Sequence, residues 1–109
     1  NQAFKQVVVD AKEGDTQLTL KELAPVRLIK NKFYNDVQEL YKKSPSIEEL
    51  NTLLGRARAK KGMFEGDLDE GELEIGQVAG LIHDIKPVAE IVNDMIKEFE
   101  LAKKQTCNL

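Results

Sequence analysis

The stretch GMFEGDLDEGELEIGQVAGLI, residues 62–82, organises the rest of the chain. It holds five of the seven glycines: Gly62, Gly66, Gly71, Gly76 and Gly80. It also holds a run of carboxylates, Glu65, Asp67, Asp69, Glu70, Glu72 and Glu74, and then turns apolar at Ile75, Val78, Ala79, Leu81 and Ile82. Glycine marks places where the backbone takes unusual angles or where something comes very close. Five of them beside an acidic loop, between two helical segments, predict a shaped turn with a task of its own.

On the N-terminal side, residues 2–13 read as a helix. Phe4, Val7, Val8 and Ala11 recur at helical spacing on one face, and Gly14 follows as a C-terminal stop. The run Val7-Val8-Val9 suits a strand as well. Asp15-Thr16-Gln17-Leu18-Thr19-Leu20 alternates and predicts a strand of about four residues. Residues 21–24 make at most one turn before Pro25. Val26-Arg27-Leu28-Ile29 is a second short extended piece. Strands this short need partners, from each other or from chain outside these residues. Residues 32–43 read as a helix with Phe33, Val37, Leu40 and Tyr41 on one side, broken at Ser44-Pro45. Ser46-Ile47-Glu48-Glu49 fits a capping box, opening a helix that carries Leu50, Leu53 and Leu54 toward Gly55. Arg56, Arg58, Lys60 and Lys61 come next. They read as a phosphate-binding patch or, more plainly, as a helix end whose cations favour the last carbonyls.

On the C-terminal side, residues 86–104 show the clearest helical pattern in the chain. Val88, Ile91, Val92, Met95, Ile96 and Phe99 form an unbroken apolar stripe. Pro87 fits a first turn, Asp84 is placed to cap, and Lys103 and Lys104 suit the C-terminal end. Residues 105–109 read as a frayed tail. The fold class expected for the chain is mostly α with one or two short β strands.

The 109 residues leave room for one domain. Charged residues make up 32 % and hydrophobic ones 41 %, with a net charge of −3. That balance argues against general nucleic-acid binding, which needs a basic surface to displace phosphate counterions. Cys107 is the one cysteine, so there is neither a disulfide framework nor a metal-ligand spacing. No apolar run approaches the roughly 20 residues that span a bilayer. A reduced, cytoplasmic setting is the expectation. The chain opens on Asn1 and not on methionine, which reads as a piece of a longer polypeptide, though processing would look the same.

Most chemistry the residues could suggest fails on spacing. An EF-hand loop with Gly71 at position 6 would put Gly66, Leu68 and Gln77 at positions 1, 3 and 12, which are not calcium ligands. A start at Asp67 puts Glu72 where the glycine belongs. His83, the one histidine, lacks the further His or Cys of a metal site. It serves as a general base only with partners from elsewhere. Ser44 and Ser46 are taken up by a turn and a cap, so no nucleophile is paired with a base. No catalytic residue and no metal ligand is assigned. Gly76-Gln77-Val78-Ala79-Gly80 is not a dinucleotide fingerprint. Its G-x-x-x-G spacing predicts close packing against another backbone. The sharper reading is that Gly76 and Gly80 admit a cofactor or a barrel end, with the Gln77 amide as a polar contact.

At Val26-Arg27-Leu28-Ile29-Lys30-Asn31-Lys32-Phe33, at Gly66-Asp67 and at Gly76-Gln77-Val78-Ala79-Gly80-Leu81-Ile82 the chain resembles the C-terminal part of the nitronate monooxygenase (2-nitropropane dioxygenase) family. Within that family it is most similar to the bacterial flavin-dependent enoyl-acyl-carrier-protein reductases. The similarity covers residues 3–98. It is carried by the order of elements: helix, short strand, R-x-x-K-N-x-F, two helices, a G-D loop and G-Q-x-x-G-L-I.

The resemblance implies a parent with an FMN-binding (β/α)8 TIM barrel and a C-terminal helical extension. Residues 1–109 would be that extension, lying over the barrel mouth where such enzymes work. In the reductase branch, NAD(P)H reduces FMN and the flavin passes hydride to an enoyl thioester in fatty acid synthesis. In the monooxygenase branch, FMN oxidises alkyl nitronates with oxygen. The cofactor-binding residues implied are Gly76 and Gln77. The partners implied are the rest of the barrel, a small-molecule or acyl-thioester substrate and a second copy in a homodimer, with no nucleic acid and no membrane. The family's active-site histidine sits in an A-G-G-H-x-G loop, and later glycine-rich loops hold the FMN phosphate. None of these is among residues 1–109, so His83 inherits no role and the chain by itself is expected to be inactive. The competing expectation is a non-enzymatic helical module that binds a protein through the 86–104 face.

Overall fold

A computed structural model describes residues 1–108. Its elements run α1 (Gln2–Asp10), β1 (Thr16–Thr19), β2 (Val26–Ile29), α2 (Lys32–Tyr41), α3 (Ile47–Leu54), a π-helical turn (Lys60–Phe64), a 3₁₀ turn (Gln77–Leu81) and α4 (Val88–Cys107). The expected class holds: helices dominate and two short strands are present.

The local reasons are mostly those the residues announced. β1 and β2 pair antiparallel in the register Thr16↔Ile29 to Thr19↔Val26. The hairpin turns through Leu20, held at φ 52°, with the Leu23 N–H donating to the Leu20 carbonyl. The Arg27 guanidinium ties the hairpin's open end through the Thr16 carbonyl and hydroxyl. Asn31 caps α2 by accepting from the Tyr34 N–H at 3.0 Å. The capping box at Ser46 and Glu49 is complete, and Gly55 ends α3 at φ 66°, an angle costly for side-chained residues.

Four expectations shift. The first helix stops at Asp10, because Ala11 is extended. Gly14, at φ 88°, serves the turn into β1 instead of capping the helix. The Lys12 N–H donates to Asp15 Oδ2 inside that turn. The last helix begins at Val88 with Pro87 as N-cap and no side-chain cap. Asp84 pairs with Lys86, which also reaches Asp94. Helix continues through Cys107 where a frayed tail was expected; Leu109 lies outside the described residues. The fourth change adds pairing. Leu28 bridges Glu74 on the edge of β2 away from β1, with Ile29 N–H to Leu73 O at 3.0 Å and Ile75 N–H to Arg27 O at 3.2 Å. β2 is therefore paired on both edges, with β1 on one side and through the bridge at Glu74 on the other.

The core sits where the hairpin meets α2 and α3: Leu20, Leu28, Phe33, Val37 and Leu50, with Leu23, Val26, Leu40, Tyr41, Leu53 and Leu54 against it. α1 is half-covered along Phe4, Val7, Val8 and Val9. α4 has no buried residue. The radius of gyration is 17.6 Å and the molecule extends 56 Å along its long axis. A compact chain of this length would have a radius of about 13 Å. The excess comes from α4, which runs off the body with its apolar stripe exposed.

Candidate functional site

The glycine-rich loop is a folded object, built by close backbone contact and converging donors. Gly62 and Gly71 lie against each other, and a Cβ at Gly71 would overlap the Gly62 backbone. A Cβ at Gly62 would come 2.6 Å from Leu73 Cδ2. Gly66 takes φ 84°. Asp67 turns the acidic run back on itself. Its Oδ1 accepts from the N–H groups of Asp69 and Glu70, and its carbonyl accepts from the Gly71 N–H. Those bonds, that of Glu70 foremost, hold the Asp67 carboxyl below its ordinary value, with Lys61 assisting at 3.3 Å.

Four successive loop carbonyls then point at donors from the body. Asn31 Nδ2 donates to Leu68 O at 2.9 Å, Asp69 O at 3.2 Å and Gly71 O at 2.8 Å. The Phe33 N–H also donates to Asp69 O. Arg58 Nη1 donates to Glu70 O at 2.8 Å, while its other nitrogens reach Leu53 O and Leu54 O at the end of α3. The Arg58 guanidinium lies 4.5 Å from the centroid of the buried Phe33 ring. Lys32 bridges Glu70 and Asp36, and both carboxylates raise its pKa. The end of the R-x-x-K-N-x-F segment, Asn31, Lys32 and Phe33, thus clasps the G-D loop, and of the four cations at 56–61 Arg58 does bind helix-end carbonyls.

The clasped loop delivers the bridging strand, and the strand delivers the expected site. Gly76 and Gln77 follow Ile75 directly and open the 3₁₀ turn on exposed surface. A Cβ built at Gly76 would meet nothing nearer than Val78 Cγ1 at 3.9 Å, so its backbone is open. On the far side, Ala79 is buried, and Gly80 faces the backbone after α1, where an added Cβ would come 3.3 Å from Glu13 N. The close packing expected of the G-x-x-x-G spacing therefore belongs to Gly80 alone. Val78, Leu81 and Ile82 are exposed. His83 is exposed too, at an open depression shared with Asp10, Lys12 and Glu13. Glu72 is buried between the loop and the strand. Burial raises its pKa, Glu74 adds to the shift and Arg58 opposes it.

Gly76 and Gln77, the residues expected beside FMN, present open backbone and an exposed amide, with the exposed apolar side chains of Val78, Leu81 and Ile82 beside them. The glycine loops for a phosphate are not among these residues. Among the described residues no group of three His, Cys, Asp or Glu side chains is arranged to hold a metal. No helix among them is long and apolar enough to cross a membrane. The clasp itself was missed by sequence reasoning, for Asn31 before a helix announces only a cap.

Comparison with known proteins agrees with this architecture. The family model described as nitronate monooxygenase matches residues 1–98. No curated protein matches significantly. Among solved structures, FabK from Thermotoga maritima is 34 % identical with a TM-score of 0.80, and the match covers 100 % of this chain and 35 % of that one. A point mutant of the same FabK is 31 % identical with a TM-score of 0.74, covering 100 % of this chain and 32 % of the other. The chain thus spans about a third of the length of the structures it matches.

Proposed function

This chain belongs to the nitronate monooxygenase family, and we propose that it is the C-terminal, helix-rich part of an FMN-dependent oxidoreductase with a TIM-barrel body. The observation that carries this reading is the fit of the whole chain onto one third of FabK. Within the family we favour the enoyl-acyl-carrier-protein reductase reaction over nitronate oxidation, because that structural likeness is to FabK. FMN, when bound in the parent, supplies the two-electron step between NAD(P)H and an enoyl thioester. The part played by these residues is positional. Gly76 leaves the backbone open to the flavin side, and Gln77 offers its amide to a ring heteroatom. Val78, Leu81 and Ile82 cover the mouth and keep water out. The apolar face of α4 packs on the barrel. Homodimer formation and a cytoplasmic setting belong to the same proposal.

The test is the complete parent protein, purified and scanned for bound oxidised flavin, then assayed for NAD(P)H consumption with an enoyl thioester and, separately, for nitronate oxidation with oxygen. Flavin with thioester-dependent NAD(P)H turnover is expected. Turnover of nitronate alone would move the assignment to the other branch. A colourless parent would overturn the oxidoreductase reading in favour of a protein-binding helical module. The segment on its own is expected not to bind FMN; micromolar binding by it would contradict the division of labour.

A further inference from the structure

The Gly76-Gln77 turn has little packing of its own. It is exposed, and a Cβ at Gly76 would meet nothing nearer than 3.9 Å. Its place is set from its two ends. On one side Ala79 and Gly80 are held against the body. On the other, the residues Leu73 and Ile75 are registered on β2 by two backbone hydrogen bonds. That strand begins where the clasped loop ends.

We propose that Asn31 is a positioning residue for this turn, acting through the loop carbonyls and the strand they precede. The inference rests on the reading of Gly76 and Gln77 as the flavin side. Three features single out Asn31. Its Nδ2 lies within 3.2 Å of three carbonyl oxygens, and an amide with two hydrogens must share them among the three. Its Oδ1 caps α2 at the same time, so one side chain fixes the helix and the loop to each other. The carbonyl of Gly71, its shortest partner at 2.8 Å, lies two residues before Leu73, the first residue to pair with β2.

The two roles of Asn31 can be separated chemically. In Asn31→Asp, an oxygen still accepts from Tyr34 N–H, since aspartate caps helices as well as asparagine. The donor is replaced by an anionic oxygen facing three carbonyls. Asn31→Ser keeps a capping hydroxyl and removes the donation without adding charge. Both variants are to be made in the complete parent protein beside Leu50→Ala, which destabilises the core away from the loop, and Gln77→Ala. FMN dissociation constants and melting temperatures are measured for each, well below melting. We expect Asn31→Asp to weaken FMN binding by about tenfold or more, in line with the rate cost of small displacements of a site. Asn31→Ser should act in the same direction by less, and Leu50→Ala should lower the melting temperature with flavin affinity unchanged. If the Asn31 variants lower only the melting temperature, or weaken FMN no more than Leu50→Ala at equal loss of stability, Asn31 is merely structural and the proposal is wrong. If Asn31→Asp does not fold, Asn31→Ser decides by the same criterion. If Gln77→Ala alters neither flavin affinity nor turnover, the flavin-side reading of the turn fails first, and the positioning role falls with it.

Discussion

The hairpin with α2 and α3, on one hand, and α4, on the other, are built from similar apolar patterns and end in opposite states. In the first region Leu28, Phe33 and Val37 are wholly buried. In the second, Val88, Met95 and Phe99 remain 75 %, 64 % and 63 % exposed. The body can close because its apolar faces come from several elements that meet: a strand pair, two helices and the clasped loop. α4 is one helix, about 30 Å long at 1.5 Å per residue, and a single helix cannot cover its own stripe. The lesson is that an amphipathic pattern reports the need for a partner and not the partner's location. In this chain the body satisfies that need internally, while α4 leaves it exposed.

The contrast can be broken by substitution in the chain taken alone. The largest effect should come from Phe33→Ala, which opens the centre of the body and removes the ring under Arg58. A loss of about 3–5 kcal/mol in denaturant unfolding is expected, and a loss below about 1 kcal/mol would show that the body is not the cooperative unit. Gly71→Ala comes next. Its methyl must displace the Gly62 backbone, a strain of about 1–3 kcal/mol, read by the same titration. No loss would mean that Gly62 and Gly71 are not in contact in solution.

Glu72→Gln should act with the opposite sign. The folded state binds a proton at Glu72 more tightly than the unfolded state, because burial raises its pKa above the ordinary glutamate value. Its favourable contribution is therefore complete only below that value and is lost as pH rises through the raised one. The glutamine variant should melt higher than the parent sequence at neutral pH, with the gain vanishing in acid. A gain independent of pH would remove burial as the cause. The smallest effect is expected at Phe99→Ala, within about 0.5 kcal/mol for an exposed site. Amide exchange sharpens the same comparison: α2 and β2 should be protected, and α4 should exchange close to the rate of a frayed helix. Strong protection of α4 in the isolated chain would place its partner within these residues and undo the contrast.

Local signals in the sequence were readable because their causes are local. The stripe of α4 and the Ser46–Glu49 box both arise from residues within a turn or two of each other. The short strands were readable from alternation, but their third partner was not. Glu72-Leu73-Glu74-Ile75 also alternates, inside a carboxylate run that reads as solvated loop. Asn31 shows the limit most clearly. Its cap lies three residues away and is visible, while the carbonyls it clasps lie 37 to 40 residues away. Of the expected site, Gly76 and Gln77 stand on open surface, and the packing foreseen for both glycines of the G-x-x-x-G spacing falls to Gly80.

The pairing of β2 on both edges also has a consequence in time. Thr19 meets Val26 across a short turn, whereas Leu28 waits for Glu74 across two helices and the whole clasped loop. Loop closure costs more as the intervening chain lengthens, and distant pairings form later. The hairpin should therefore nucleate with α2, and the strand after the loop should dock afterwards. Cap-preserving substitutions such as Asn31→Ser should then speed unfolding and leave the folding rate nearly unchanged, which a chevron measurement would show; a slowed folding limb would place the clasp in the nucleus instead. On that order, the turn proposed to face the flavin is the last part of the body to form and the first to come undone.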